Sequence, residues 1–353
     1  MSARVPTLIL GGTGYVAGEL LRLVLGHPQL ELAAIASDSQ PGEAVAKAFP
    51  HLAVACNGLR YSSHDEVKQL IARHPQSAVL AAAPHGVSHR LIDTLLAAAE
   101  AAGTRPVVVD ISADYRFADL DEYARVYGHA HEAPARARQF SCAVPEHLAR
   151  SPTPHVAHPG CFSTATLLAS VPLAALGLVE PQFYVSAVTG STGAGRSPIA
   201  GTHHPQRHSD LYAYNALTHR HVAEITALAR VATGAPVRYA FVPHSGPFAR
   251  GIHATVQARL LRPLDTAGAL AALRGFYQDA PFVRVLDTPP RLKDVVTSNY
   301  AHLSAAADGE TIVVMSVIDN LVKGAAGGAV QWLNRLLGFD ETTGLTAPAP
   351  GWT

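Results

Sequence analysis

The sequence predicts an α/β protein: a doubly wound parallel-sheet domain, then an α+β domain built on a mixed or antiparallel sheet. Three observations predict it. Short apolar strands alternate with helices through the first third. A glycine-rich string follows the first of those strands. Beyond the prolines Pro152, Pro154 and Pro159, longer alternating runs replace that texture.

Val5–Leu10 reads as a short strand, and Tyr15–Leu25 as a helix stopped by Gly26. Glu31–Ala36, Ala78–Ala82 and Val107–Asp110 read as further strands, the last two separated by an alanine-rich helix, Leu91–Ala102, that ends at Gly103. Strand–helix alternation with short connections implies a parallel sheet covered on both faces. The alternating runs Phe183–Val188, Val237–Val242, Ile252–Leu260 and Thr311–Val317 belong to the second sheet. Asn320–Leu337 reads as an amphipathic helix, and Thr343–Thr353, with two glycines and two prolines, as a frayed end. The boundaries expected are 1–157 for the first domain, completed by 320–353, and 158–319 for the second.

The chain has 353 residues, 48% hydrophobic and 15% charged, with Lys plus Arg and Asp plus Glu at 27 each. That neutrality removes the electrostatic argument for a nucleic-acid or membrane-surface partner. Three cysteines, Cys56, Cys142 and Cys161, are too few for a disulfide framework and point to a reducing, cytoplasmic setting. The uncharged stretch Cys161–Val179 contains Ser163, Thr164, Thr166, Ser170 and Pro172, and reads as a buried helix followed by a turn, not a membrane span.

After the first strand, Gly11-Gly12-Thr13-Gly14-Tyr15-Val16-Ala17-Gly18 fits G-x-G-x-x-A from Gly12. Between a strand and a helix this is the Rossmann fingerprint: glycines let the backbone approach a pyrophosphate, and the helix start offers free N–H groups. The second strand runs into Ser37-Asp38-Ser39, where such folds meet the adenosine ribose. Ser37 and Ser39 can donate to a 2′-phosphate, whereas Asp38 repels one, so the residues leave NADP and NAD both open.

His158-Pro159-Gly160-Cys161 places a cysteine at a Pro-Gly turn and a helix start, where unpaired N–H groups favour a thiolate. The dipole contributes only about 0.3–1 kcal/mol, so a second group must assist. Of nineteen histidines, His219 and His221 in Thr218-His219-Arg220-His221 are the candidates. His203, His204 and His208 have no thiolate companion, so no metal site is expected. Ser191 and Arg196, in Gly190-Ser191-Thr192-Gly193-Ala194-Gly195-Arg196, suit an oxyanion or phosphate through open backbone N–H groups and a guanidinium. Arg116, in Asp110-Ile111-Ser112-Ala113-Asp114-Tyr115-Arg116, stands at a strand's carboxyl edge and suits a substrate carboxylate or phosphate.

Together these residues resemble the N-acetyl-γ-glutamyl-phosphate reductases of arginine biosynthesis, which belong with the aspartate-semialdehyde dehydrogenases. The resemblance runs from Leu8 to about Leu337. It adds Ala83-Pro84-His85-Gly86 and Asp319-Asn320-Leu321-Val322-Lys323-Gly324-Ala325-Ala326-Gly327 to the motifs above. It implies Cys161 as nucleophile, His219 as acid–base residue and His221 near an acyl-phosphate substrate. It also implies Ala83, Pro84, His85, Gly86 and Asn320 at an NADP(H) cofactor, and a homodimer or homotetramer. The chain departs from the family at His158 (usually Asn), Phe162-Ser163 (Tyr-Pro), Thr218 (Gly), Ala223 (Pro) and Asp38 (often Arg). The rival readings are a related aminoadipyl-phosphate-type reductase, a non-catalytic nucleotide-binding regulator and a cysteine hydrolase. A regulator has no need of the thiol, and a hydrolase none of Gly11–Gly18.

Overall fold

The computed structural model describes residues 4–352, which form two compact units. The first runs through Ala143 and adds Arg150–His158 and Ala326–Leu345; the second holds Val144–Ala149, Pro159–Ala325 and the residues from Thr346. The chain thus rejoins the first unit at Ala326, six residues later than the expected Asn320.

The first unit is built on six parallel strands: β1 (Val5–Leu10), β2 (Leu30–Ile35), β3 (Gln76–Ala81), β4 (Arg105–Asp110), β5 (Phe140–Cys142) and β6 (His155–Ala157). Their order is β2-β1-β3-β4-β6-β5. In register, Leu8 faces Val79 and Val79 faces Val108, so this row points to one side of the pleat. It packs on Val67 and Ile71 of the helix His64–Arg73 and on Ile92, Leu95, Leu96 and Ala99 of the helix Ser88–Ala102. On the other side lie the helices Tyr15–Leu25 and Gly327–Leu337, the latter carrying the fully buried Trp332 against β4. Each buried Leu, Ile or Val contributes about 1.5–3 kcal/mol, which is why the short strands read as unbroken apolar runs.

The second unit carries a seven-stranded mixed sheet. Its strands are β7 (Gln182–Thr189), β8 (Tyr212–Ala213), β9 (Arg238–Ser245), β10 (Ile252–Arg259), β11 (Val283–Val285), β12 (Ala301–Ala307) and β13 (Thr311–Ile318), in the order β11-β12-β13-β10-β7-β9-β8. Pairs β7·β9 and β11·β12 are parallel and the others antiparallel. One row of the inner face is Val185, Val256, Val314 and Ala305. The helix Cys161–Ala175 packs on β7, β10 and β13, with the helix His221–Thr233 beside it. The cysteine helix is buried on nearly every side, which explains its uncharged sequence. The opposite face of the sheet leaves Tyr184, Ser186 and Gln257 exposed and Thr255, Val313 and Met315 half-buried.

Among the described residues, no helix is long and apolar enough to cross a membrane. Two tail expectations need correction. Val322–Ala326 forms a π-turn, and the α-helix begins only at Gly327. Thr343–Leu345 are not frayed: the Thr343 carbonyl accepts from Asn334 Nδ2 at 2.9 Å, and Leu345 is buried. Thr353 lies outside the described residues.

Candidate active site

In the first unit three loops meet at the carboxyl ends of β2, β1 and β3. The Gly12 N–H donates to the Ala36 carbonyl at 2.8 Å, and the Ala82 N–H to the Leu10 carbonyl at 2.9 Å. Because β1 is flanked by β2 on one side and β3 on the other, this is the switch point of the sheet, where open α/β folds bind ligands. Gly11 has φ +75°, and a Cβ there would lie 2.5 Å from the Ala83 nitrogen. Gly14, by contrast, faces open space and begins the helix Tyr15–Leu25 with no side chain capping it. The first-turn N–H groups, beside Thr13, the exposed Tyr15 and Val16, therefore fit a pyrophosphate.

Ser37 is buried and its hydroxyl lies 3.5 Å from that of Ser39. Asp38 turns its carboxylate to His64 Nε2. After β3, Ala83 is buried while Pro84 and His85 are exposed at the same edge. Asp114, fully buried, fixes this loop: its two oxygens accept from the backbone N–H groups of Gly86 (2.8 Å) and His89 (3.0 Å). Asp110 beside it accepts from Ser88 and Ser112; burial and the nearby Asp114 raise its pKa to about 6. Arg116 is also buried, donating to the carbonyls of His158 (3.0 Å) and Ile111 (2.7 Å), so its guanidinium ties the residue after β4 to the one before Pro159.

In the second unit Cys161 is the first residue of its helix and opens onto a cavity of about 500 Å³. Ser191, Tyr214, His219, His221 and Ser245 share the lining. The His219 ring stands 4.7 Å from that of His221 and 5.6–5.7 Å from those of Phe162, Tyr214 and Phe241. That apolar cage, with Arg220 nearby, pushes the His219 pKa down to about 4, against an opposing pull from Glu224. His219 Nδ1 accepts the backbone N–H of His221 at 3.2 Å, which leaves the hydrogen of the neutral ring on Nε2.

Glu224, one turn beyond His221, is buried and takes the Gly160 N–H at 2.7 Å, fixing the turn before Cys161. Sequence reasoning gave Glu224 no role, although i, i+3 spacing from a candidate histidine was the available signal. No signal pointed to Tyr214, whose phenol burial and Cys161 push well above its usual range.

The Gly190–Gly195 turn differs from expectation. The N–H groups of Ser191, Thr192, Gly193 and Gly195 donate to the carbonyls of Phe248, Ala249, Gly190 and Thr192, so they are not open to an anion. Ser191 lines the cavity, whereas Arg196 is exposed and outside its lining. Asn320 is buried: Oδ1 accepts from the Gly251 N–H at 2.7 Å and Nδ2 donates to Thr192 Oγ1 at 3.0 Å, bracing this turn. Among the described residues, no group of three or more His, Cys, Asp or Glu side chains is arranged to hold a metal ion.

Both units resemble known protein families. Family models described as "Semialdehyde dehydrogenase, NAD binding domain" and "Semialdehyde dehydrogenase, dimerisation domain" match residues 7–159 and 161–320. They define a semialdehyde-dehydrogenase-type oxidoreductase that uses a nicotinamide dinucleotide. Solved structures agree in fold: aspartate semialdehyde dehydrogenase II of Vibrio cholerae, complexed with ASA, has TM-score 0.70 at 16% identity, covering 96% of this chain and 99% of that one. The Candida albicans enzyme with NADP has TM-score 0.61 at 14% identity, covering 95% and 99%.

Curated relatives are nearer in sequence. The N-acetyl-gamma-glutamyl-phosphate reductase of Pseudomonas putida (strain W619) is 41% identical over 349 residues, 96% of this chain and 97% of its own. That of Marinobacter nauticus is 39% identical over 356 residues, 97% and 98%. The chain belongs to the N-acetyl-γ-glutamyl-phosphate reductase family.

Proposed function

We propose that the protein reduces N-acetyl-γ-glutamyl phosphate to N-acetylglutamate semialdehyde and phosphate with NADPH, through a thioester on Cys161. The observation that carries this is Cys161 at the start of a buried helix, in one cavity with His219 and His221. The Cys161 thiolate attacks the acyl carbon, forming a C–S bond as the C–O bond to phosphate breaks. Reduction of the thioester to a hemithioacetal would draw on the hydride that a nicotinamide dinucleotide supplies when bound. Collapse of the hemithioacetal breaks the C–S bond, releases the aldehyde and returns the thiolate to the helix start.

One proton is consumed overall, and we assign its passage to the leaving phosphate to His219. Burial keeps the ring neutral near pH 7. The negative charge of an acyl phosphate beside it raises its pKa, and charging it requires Nδ1 to release the His221 N–H. His221, Ser191, Arg196 and Arg116 are assigned to the substrate. Gly11–Val16, Ser37, Ser39, Ala83–Gly86 and Asn320 are assigned to the cofactor, although both polar ends of Asn320 already have partners. The open face of the second sheet, with Tyr184 exposed, is assigned to a homodimer or homotetramer in the cytoplasm.

A coupled assay tests the reading: purified protein, the acetylglutamyl and aminoadipyl acyl phosphates, and each reduced cofactor. Equal release of phosphate and aldehyde from the acetylglutamyl substrate is expected. Turnover of the aminoadipyl compound alone would reassign the substrate, and cofactor binding with no thiol-dependent turnover of either would leave only a regulator.

A further inference from the structure

Asp38 stands in the loop after β2, where an acid ordinarily accepts the ribose 2′-hydroxyl and repels a 2′-phosphate. Its neighbours Ser37 and Ser39 have hydroxyls that suit a phosphate instead. The conflict is resolved by geometry. The Asp38 carboxylate is held by His64 Nε2, with the Asp38 side chain two-thirds exposed (66%) and that of His64 only 23% exposed.

His64 is itself fixed. It is the first residue of the ten-residue helix His64–Arg73, whose start is locked by a capping box: Ser63 Oγ accepts from the Glu66 N–H, and Glu66 Oε2 from the Ser63 N–H at 2.7 Å. The helix end adds a favourable potential for the carboxylate. The neighbouring acids are otherwise engaged, Asp65 with Lys68 at 2.7 Å and Glu66 in the cap, and it is Asp38 that pairs with His64. Ser37 is tied to the same region, its N–H donating to the Ser62 carbonyl at 3.3 Å.

We propose that His64 is a cofactor-specificity residue: by holding the Asp38 carboxylate away from the ribose, it lets Ser37 and Ser39 receive a 2′-phosphate in a loop whose acid would otherwise select NAD(H). The inference rests on the NADP(H) reading above. Without His64 the carboxylate is free to turn to the ribose, accept from a 2′-hydroxyl and repel a 2′-phosphate. His64 thus acts through Asp38 and not by touching the cofactor.

The test is calorimetric titration of the full-length protein with NADPH and with NADH, comparing dissociation constants and not turnover. Wild type is expected to bind NADPH more tightly. His64→Leu should move the NADPH-to-NADH affinity ratio at least tenfold toward NADH, about 1.4 kcal/mol. His64→Gln, which keeps a donor near the same place, should hold the ratio within a few-fold of wild type. Asp38→Asn combined with His64→Leu should restore the NADPH preference, because no charge remains to be turned away. This double variant also shows whether the single change merely damages the loop. A wild type that prefers NADH overturns the NADP(H) reading itself. A wild type that prefers NADPH, with an unchanged ratio in His64→Leu or no restoration in the double variant, overturns the role of His64 alone.

Discussion

Gly324 lies directly on Cys161: a Cβ at position 324 would stand 2.7 Å from Cys161 Cβ and 3.1 Å from its Cα. Carbon atoms need roughly 3.5–4 Å, so any side chain at 324 must push the cysteine away. The Gly324 N–H is tied to the Asp319 carbonyl at 2.9 Å. Asp319 in turn accepts from Arg250 at 3.0 Å and from the Leu321 and Val322 N–H groups at 2.8 and 2.9 Å. The π-turn that carries Gly324 is therefore a fixed seat for the cysteine.

Gly324→Ala should lower kcat by about 100-fold, the cost of misplacing a reacting atom by about 1 Å. Alkylation of Cys161 by iodoacetamide should change with it, while NADPH affinity should not. Wild-type kcat in this variant would show that the contact does not set the position of the thiol.

His219→Asn should lower kcat by about 10²–10⁴-fold, the usual contribution of acid–base catalysis, with little change in cofactor affinity. A larger kcat loss in His221→Asn would exchange the roles of the two rings.

Lys323 and Glu146 form an ion pair with both side chains almost wholly buried, Lys323 also lying 5.6 Å from the Phe282 ring centre. Lys323→Met should cost about 3–5 kcal/mol, because it removes the cation facing a buried carboxylate. Adding Glu146→Gln should recover most of that loss, as read by chemical denaturation. Equal loss in the single and double variants would place the cost in packing.

Acid should destabilise the protein above the ordinary carboxylate range. Burial pushes His131, His147, His155 and His219 from 6.5 to about 4. Below pH 6.5 the unfolded chain binds protons at these sites and the folded one does not, so stability falls from pH 6.5 to about 4. Asp110, raised from 3.8 to about 6, works in the opposite direction over pH 6 to 4, but it is one group against four. Tm should therefore drop between pH 7 and pH 5. A flat or rising Tm over that range would contradict the assigned burial.

Much of this was legible in the sequence, for physical reasons that also mark where legibility stopped. The helix Tyr15–Leu25 was bounded to the residue because a strand, a glycine turn and a closing Gly26 leave no alternative. β12 escaped notice because Ala301–Ala307 is rich in alanine, a weak strand former; pairing with β11 and β13 makes it a strand. The helix His64–Arg73 was missed although Ser63 and Glu66 spell its capping box. Cys161, His219 and His221 stand out in the sequence by side-chain chemistry, and the structure brings the three to one cavity. Glu224, Gly324 and the Asp38–His64 pair do not stand out, since each acts through a contact between residues 26 to 163 positions apart. The Gly190–Gly195 turn misled because small residues signal close approach but not what approaches. Here it is the protein's own carbonyls at Phe248 and Ala249.

The central claim is the thioester on Cys161. Protein incubated with N-acetylglutamate semialdehyde and oxidised cofactor, without phosphate, should accumulate an acyl adduct on the Cys161 peptide by mass spectrometry, and added phosphate should release it. An adduct on Cys56 or Cys142, or full activity in Cys161→Ala, would contradict the account.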